Sequence, residues 1–527
     1  MRKTFQSKQN HTNKNQNELQ QAIQFVQESL NKKYPDYIYK YTFIINQLES
    51  QSIPRIKYWL QALNHCTTFI QPIYYQLLET IYQIQLPEDD EIYDIYSELL
   101  LNLVTSHPMY LENVLNCLYK RICSNNQHRF ALFKTLFGKI QSLIPLSSKI
   151  LIETIHKNIP NRWKSNDNFI CYIDFFIDTF GDEIEIVKSM FYGIIERILV
   201  FEMDNQRKKG ILECEEIDEV IIDYSKDFNQ KLKEEEKDDV ENIMNFDVKE
   251  SMDKQNEIDE NEQILNELIQ YSFQFIKRME ILFPMNTNKI ITLTEFLYEI
   301  VFDHYIIRTQ FTYYSSLIYF NYCQSTERSL SFLEFLFNQF SKESNSLQKK
   351  YLYICHIGSF LSHCKLLSSI TIMSYLQQLF HQFIQLNEIN QLNENQSNKM
   401  KILICQQMFS IFIYRFNEIQ IRNDLSTLFE KDGIFTTIIV DQCNPLSNCK
   451  KETVDRMISI CKDQLNINLH QVFLNYWKFD KPLFVSLSFV DYDPYRLPKN
   501  WIPHFIKNYI CFPIKKEDED HFEFYEL

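Results

Sequence analysis

The chain has 527 residues, 45% of them hydrophobic and 15% aromatic, a formal net charge of −15 and only six glycines, where average usage would give roughly 37. Those glycines (Gly138, Gly181, Gly193, Gly210, Gly358 and Gly433) stand too far apart to build a phosphate-cradling loop, which excludes a P-loop, a dinucleotide fingerprint and a kinase-type glycine loop. They are also too few for the tight turns of β-rich folds, and thirteen scattered cysteines without a CxxC point to reduced thiols in a cytosolic or nuclear protein. The expected class is all-α.

Residues 1–17 are polar, lack the apolar stretch of a secretory signal and are expected to be disordered. From 18 to 203 apolar spacing predicts helix pairs. Leu99 and Leu103 precede Leu111, Val114, Leu118 and Ile122 across His107-Pro108. Leu132, Leu136 and Ile140 precede Ile150 and Ile155 across Pro145, and Ile173, Phe176 and Phe180 precede Val187, Phe191 and Ile194 across Gly181. Pairs starting near Asp90, His128 and Asn168 recur every 38 or 40 residues, the period of HEAT-like repeats, whose pairs bury their apolar faces by stacking into a solenoid.

Residues 204–260 interrupt the pattern. Glu202 to Glu260 carries 21 acidic and 9 basic residues, and the Glu234-Glu235-Glu236-Lys237-Asp238-Asp239 run repels itself. A disordered acidic insertion is expected, with a transient helix near Ile211–Ile222. Helical pairs resume over 261–480, opening with Ile264, Leu268, Tyr271, Phe275 and Met279 and continuing from starts near Thr292, Arg328 and Ser369. Five of the fourteen prolines fall between 482 and 513, so residues 481–514 are expected to run extended along the last helices, with strand-like alternation from Phe484 to Val490. An acidic tail, 515–527, follows. Outside the insertion and the tail the charge is near +1, without the basic stripe of a DNA reader. The longest uncharged run, Thr309 to Thr326, is threaded with polar residues and makes a poor membrane span.

Nothing in the pattern builds an active site or calls for a cofactor. His356 and His363, in Cys355-His356 and His363-Cys364, share a helix face at i, i+7, about 10 Å apart by helical rise, too far for two ligands of one zinc. Cys66 beside His65, and Cys171 near Asp174, lack an oxyanion feature or a nucleophile elbow. Asp174 and Asp178 fit a solvated helix edge better than an acid–base pair. The residues themselves point to a non-catalytic scaffold or adaptor.

Several segments in order along the chain resemble the RNA polymerase I-specific initiation factor family, the TIF-IA family. Leu143-Ile-Pro-Leu-Ser-Ser-Lys-Ile-Leu151 with Ile159-Pro-Asn-Arg-Trp163 is similar to that family's "LIP…L…FPHKR" stretch. Phe169 to Val200 follows its paired helices up to an acidic insertion that the family also carries, and Phe296 to Phe320, with Ile306, Arg308, Gln310 and Phe311, resembles the stretch after it. His356-Ile-Gly-Ser-Phe-Leu-Ser-His-Cys-Lys365 looks like "YLASFLARAK", Cys443-Asn-Pro-Leu446 with Cys449 like "LNPL…C", and Asp493-Pro-Tyr-Arg-Leu497 like "FDPYLL". His363 stands where the family has Arg, and Asn161-Arg162-Trp163 weakens its basic pair.

The resemblance implies a nuclear, nucleolar factor without catalytic activity. It would bind RNA polymerase I near its stalk and bridge it to a promoter-bound core or selectivity factor, forming a homodimer when free and reading no DNA sequence itself. It also implies a phosphorylated serine surface, for which Ser147, Ser148, Lys149, Arg162, Lys164 and Ser165 are the candidates; the same serines would serve equally as helix caps. Phosphate on such a face costs desolvation and repels an acidic partner. Pro160, Ser359, Phe360, Asn444, Pro445, Leu446, Asp493, Pro494 and Tyr495 are expected to carry the fold. The competing reading is a HEAT-type nuclear transport receptor, whose acidic inner helices the near-neutral body does not match.

Overall fold

The structure is a computed structural model. It describes residues 17–50, 52–87, 89–122, 130–144, 147–160, 165–208, 253–283, 288–307, 309, 312–386, 393–420, 425–430, 433–469, 492–495 and 509–510. Among these the chain is all-α, with a single isolated β-bridge between Cys364 and Tyr509. It divides into two compact units, Met1–Gly193 and Ile194–Leu527.

The first unit holds α1 (17–29), α2 (Tyr37–Glu49), α3 (Ile53–Asn64), α4 (Tyr75–Gln83), α5 (Asp90–Ser106), α6 (Leu111–Ile122), α7 (Phe130–Leu143), α8 (Ser147–Lys157), α9 (Asn166–Phe180) and the start of α10 (Ile184–Lys208). Helix boundaries follow local chemistry. Asp89 caps α5 by accepting from the backbone N–H groups of Glu91 and Ile92 at 3.0 and 3.2 Å, with Asp90 and Glu91 in the first turn and Lys120 and Arg121 in the last turn of α6. Helices pack in two rows, α2–α4–α6–α8 and α3–α5–α7, each touching the helix two places on. This is the stacking of HEAT-like pairs. The expected stripes Leu99, Leu103, Leu111, Val114, Leu118 and Ile122 are buried between the rows.

The structure also reveals a tighter register. Pro35, Pro72, Pro108 and Pro145 stand 37, 36 and 37 residues apart, each at or just before the start of an even-numbered helix. Proline suits a first turn because its missing N–H would have no partner there. Two residues after Pro72 and Pro108, buried Tyr74 and Tyr110 donate their hydroxyls to carbonyls of the preceding pair, those of Leu30 and Ile70. Farther along, Tyr119, Phe137, Tyr172, Phe175, Phe176 and Phe180 form an aromatic core with centroids 4.8 to 6.2 Å apart.

In the second unit α10 continues to Lys208 and α11 (Asp253–Leu282) begins at Asp253, so helix extends into both edges of the segment 204–260; residues 209–252, with the helix anticipated near Ile211–Ile222, lie outside the described residues. Then come α12 (Asn288–Glu295), a π-helical stretch Phe296–Ile306, α13 (Tyr314–Tyr322), α14 (Thr326–Ser341), α15 (Leu347–His363), α16 (Ser369–Gln385), α17 (Glu394–Gln420), α18 (Ile434–Ile439), α19 (Pro445–Asn448) and α20 (Lys451–Leu465). Ser325, Ser346 and Ser368 cap α14, α15 and α16. Helix α17 is buried on nearly every side and touches α15, α16, α19 and α20, as expected of a helix apolar all round. The π stretch departs from the plain helix that apolar spacing predicts; its wide turn, closed by the Ile307 N–H donating to the Phe302 carbonyl at 3.0 Å, buries Leu297, Tyr298, Val301, Phe302, Tyr305 and Ile306 together.

Candidate functional site

Nine large apolar side chains of the first unit are exposed, and eight of them lie where an odd-numbered helix hands over to an even-numbered one. Tyr34, Ile38 and Tyr39 lie at the α1–α2 joint, Phe69, Ile73 and Tyr75 at α3–α4, Met109 at α5–α6 and Leu143 at the end of α7. Because the even helices lie side by side, these joints line one edge of the unit. The Pro-x-Tyr repeat explains the exposure: Tyr74 and Tyr110 turn inward to carbonyls, leaving Ile73 and Met109 outside, 52% and 66% exposed. An open groove of about 750 Å³ runs between α4 and α6, from Pro72, Tyr75 and Tyr110 to Gln85, Lys120 and Arg121.

Ser147 and Ser148 are the first two residues of α8, at that same edge. Lys149 is exposed and reaches Glu153 at 3.8 Å. Ser165 caps α9, accepting from the Asn168 N–H at 3.4 Å, and Pro160 is buried just before it. Arg162 and Lys164 lie outside the described residues, as do Arg308, Gln310 and Phe311. The structure thus places three of the six candidates at one edge or beside it, and gives Ser165 a capping partner. The repeating Pro-x-Tyr spacing, visible in the sequence, was the signal that would have found the apolar edge.

In the second unit, residues distant in sequence meet on α15. Asp493 accepts the Ser359 hydroxyl on one carboxylate oxygen and faces His363 Nε2 with the other at 3.1 Å. The Tyr495 N–H donates to Ser359 Oγ at 3.3 Å, and its hydroxyl lies 3.1 Å from His356 Nδ1. The Tyr495 ring packs on Phe320 and Phe360 at 5.8 and 5.6 Å, while Pro494 is buried beside it. The described pieces of the C-terminal segment therefore lie against α13 and α15 rather than along α20, since the Tyr495 ring finds its apolar pocket there. Ser, Asp and His are adjacent, but the serine donates to the carboxylate and not to the imidazole, so no base activates its hydroxyl. Burial pushes His356 down to about 3, keeping it neutral.

The Cys443–Cys449 turn is structural. Asn444 is left-handed (φ 47°) and buried, which asparagine tolerates, and Pro445 starts α19 with Leu446 half-buried beside it. Asp441 pairs with buried Lys401 of α17 at 3.1 Å, and the Lys450 N–H donates to Gln406 at 2.9 Å, so the turn is pinned to α17. All ten described cysteines are free and buried; burial pushes Cys66 up to about 11 and Cys461 up to about 12, far from a reactive thiolate. Among the described residues no three His, Cys, Asp or Glu side chains could hold a metal ion, and no described helix is long and apolar enough to cross a membrane.

Comparison with known proteins places this geometry. Residues 5–473 match the family model of the RNA polymerase I specific transcription initiation factor RRN3. Among solved structures, the crystal structure of RNA polymerase I transcription initiation factor Rrn3 is similar, with a TM-score of 0.69 at 17% identity over 94% of this chain and 99% of that one. At that identity the structural likeness concerns the fold. No curated protein sequence matches the chain.

Proposed function

This chain belongs to the RNA polymerase I specific transcription initiation factor RRN3 family, and we propose that it acts as a non-catalytic adaptor: it binds RNA polymerase I, near the stalk, and bridges it to a promoter-bound core or selectivity factor to start ribosomal RNA synthesis in the nucleolus. Family membership supplies the polymerase. The observation that supports an adaptor is the exposed apolar edge of the first unit, because large apolar groups concentrated on one edge mark a surface that a partner covers. Ser147 and Ser148 stand at that edge at a helix N-terminus, where added negative charge suits the helix dipole but opposes an acidic partner. Phosphorylation there would detach the factor without unfolding it. The acidic segment 204–260 would compete for a basic surface of a partner, and a free homodimer would cover the same edge until polymerase displaces it.

Replacing both serines by Asp tests the patch. Polymerase binding should weaken by about tenfold, 1.4 kcal/mol, at an unchanged melting temperature. An unchanged affinity would remove these serines from the interface.

A further inference from the structure

We propose that His363 and Asp493 form a proton-controlled latch that fastens the C-terminal strap, residues 492–495 and 509–510, onto α15. The strap meets His363 on both ring nitrogens. Nδ1 lies 2.7 Å from the Ile510 carbonyl oxygen, and Nε2 lies 3.1 Å from Asp493 Oδ2. A carbonyl can only accept, so Nδ1 carries a hydrogen. A carboxylate also only accepts, so Nε2 must carry one too, and both conditions hold together only for the imidazolium. The Asp493 side chain is 27% exposed, against 2% for His363, so its carboxylate keeps contact with water and stays ionised while the ring holds the proton.

The surroundings fit a charged ring. Tyr509 of the strap stacks on it at 4.6 Å with planes 8° apart, and Tyr414 of α17 meets it edge-on at 4.6 Å. The other titratable or charged groups nearby do not replace the proton. Arg415 of α17 donates to the Leu367 carbonyl at 2.7 Å and pairs with Glu418 at 3.1 Å. Cys364 lies against Ser329 of α14, and His356, two turns back, is engaged with Tyr495. When the ring loses its proton, a nitrogen lone pair faces a carboxylate oxygen at 3.1 Å, and a charge-assisted hydrogen bond turns into a repulsion. Docking and protonation are therefore linked. Strap docking is complete below the ordinary histidine range near 6.5 and weakens as pH rises through it. Release would uncover Phe320, Phe360 and Tyr414, an apolar surface that the strap now hides.

Amide hydrogen exchange on the full chain reads this directly, because the Ile510 N–H donates to the His363 carbonyl at 2.8 Å and the Tyr495 N–H to Ser359 Oγ. After correction for intrinsic exchange, protection of these amides should fall at least tenfold between pH of about 5.5 and about 8. Asp493→Asn can accept from Ser359 and donate to a neutral ring, so its protection should hold or rise at the higher pH. His363→Arg, charged throughout, should stay protected at both. A purely structural contact would change protection equally at both pH values. Wild-type protection that ignores pH, or an Asp493→Asn chain that keeps the wild-type loss, would overturn the latch; the second variant decides even if the arginine one fails to fold.

Discussion

Glu202 caps a helix from 111 residues away. Its buried carboxylate accepts the backbone N–H groups of Tyr313, Tyr314 and Ser315, and the Ser315 hydroxyl at 3.1 Å, at the N-terminus of α13. Four donors and a helix dipole favour the charged form, yet burial is the larger effect and pushes the carboxyl up from 4.5 to about 7. The folded chain then holds a proton that the unfolded chain has released in that interval, so this group's stability is present below about 4.5 and is lost as pH rises through about 7. Urea unfolding should show a fall in stability from pH of about 5 to about 8 that is smaller in Glu202→Gln, by on the order of 1–3 kcal/mol; equal falls would mean the carboxyl is not shifted. His356 has the opposite sign, its contribution being lost as pH drops below 6.5 toward about 3. Neither role was legible in sequence, where Glu202 counts as the first acid of a charged segment and its partners lie beyond that segment. The Asp493–His363 contact, 130 residues apart, was hidden for the same reason.

Helices were the most legible level. The pairs anticipated from Asp90, Arg328 and Ser369 appear as α5 with α6, α14 with α15 and α16 with α17, because periodic apolar stripes and serine or aspartate caps are local signals. The proline register at 36 to 37 residues was equally local, but it marks the even helices, whereas counting from the odd ones gave 38 or 40. The π stretch escaped because a run apolar on every face carries no period to read. Gly358 shows what close packing asks of one residue: a methyl built there falls on the Gln407 side chain of α17. Gly358→Ala should therefore destabilise by about 1–3 kcal/mol through overpacking, against the gain of about 1 kcal/mol that alanine brings to an exposed helix. Thermal or urea unfolding checks the sign, and a stabilised variant would contradict the close approach of α15 to α17.

For the molecule, composition alone led to an all-α chain without a glycine-built nucleotide site, and the order of the resembling motifs led to the family that the comparison with known proteins shows. Two of those motifs, around Ser359 and Asp493, prove to be one contact in space, which accounts for the company they keep in sequence. The interaction edge was not legible because exposure depends on which way each joint residue turns, and only the neighbouring pair decides that. The most direct test of the adaptor reading is a pull-down of the tagged full chain from nuclear extract, with RNA polymerases I, II and III identified by their largest subunits. Enrichment of polymerase I alone is the predicted result; equal recovery of all three, or of none, would contradict it.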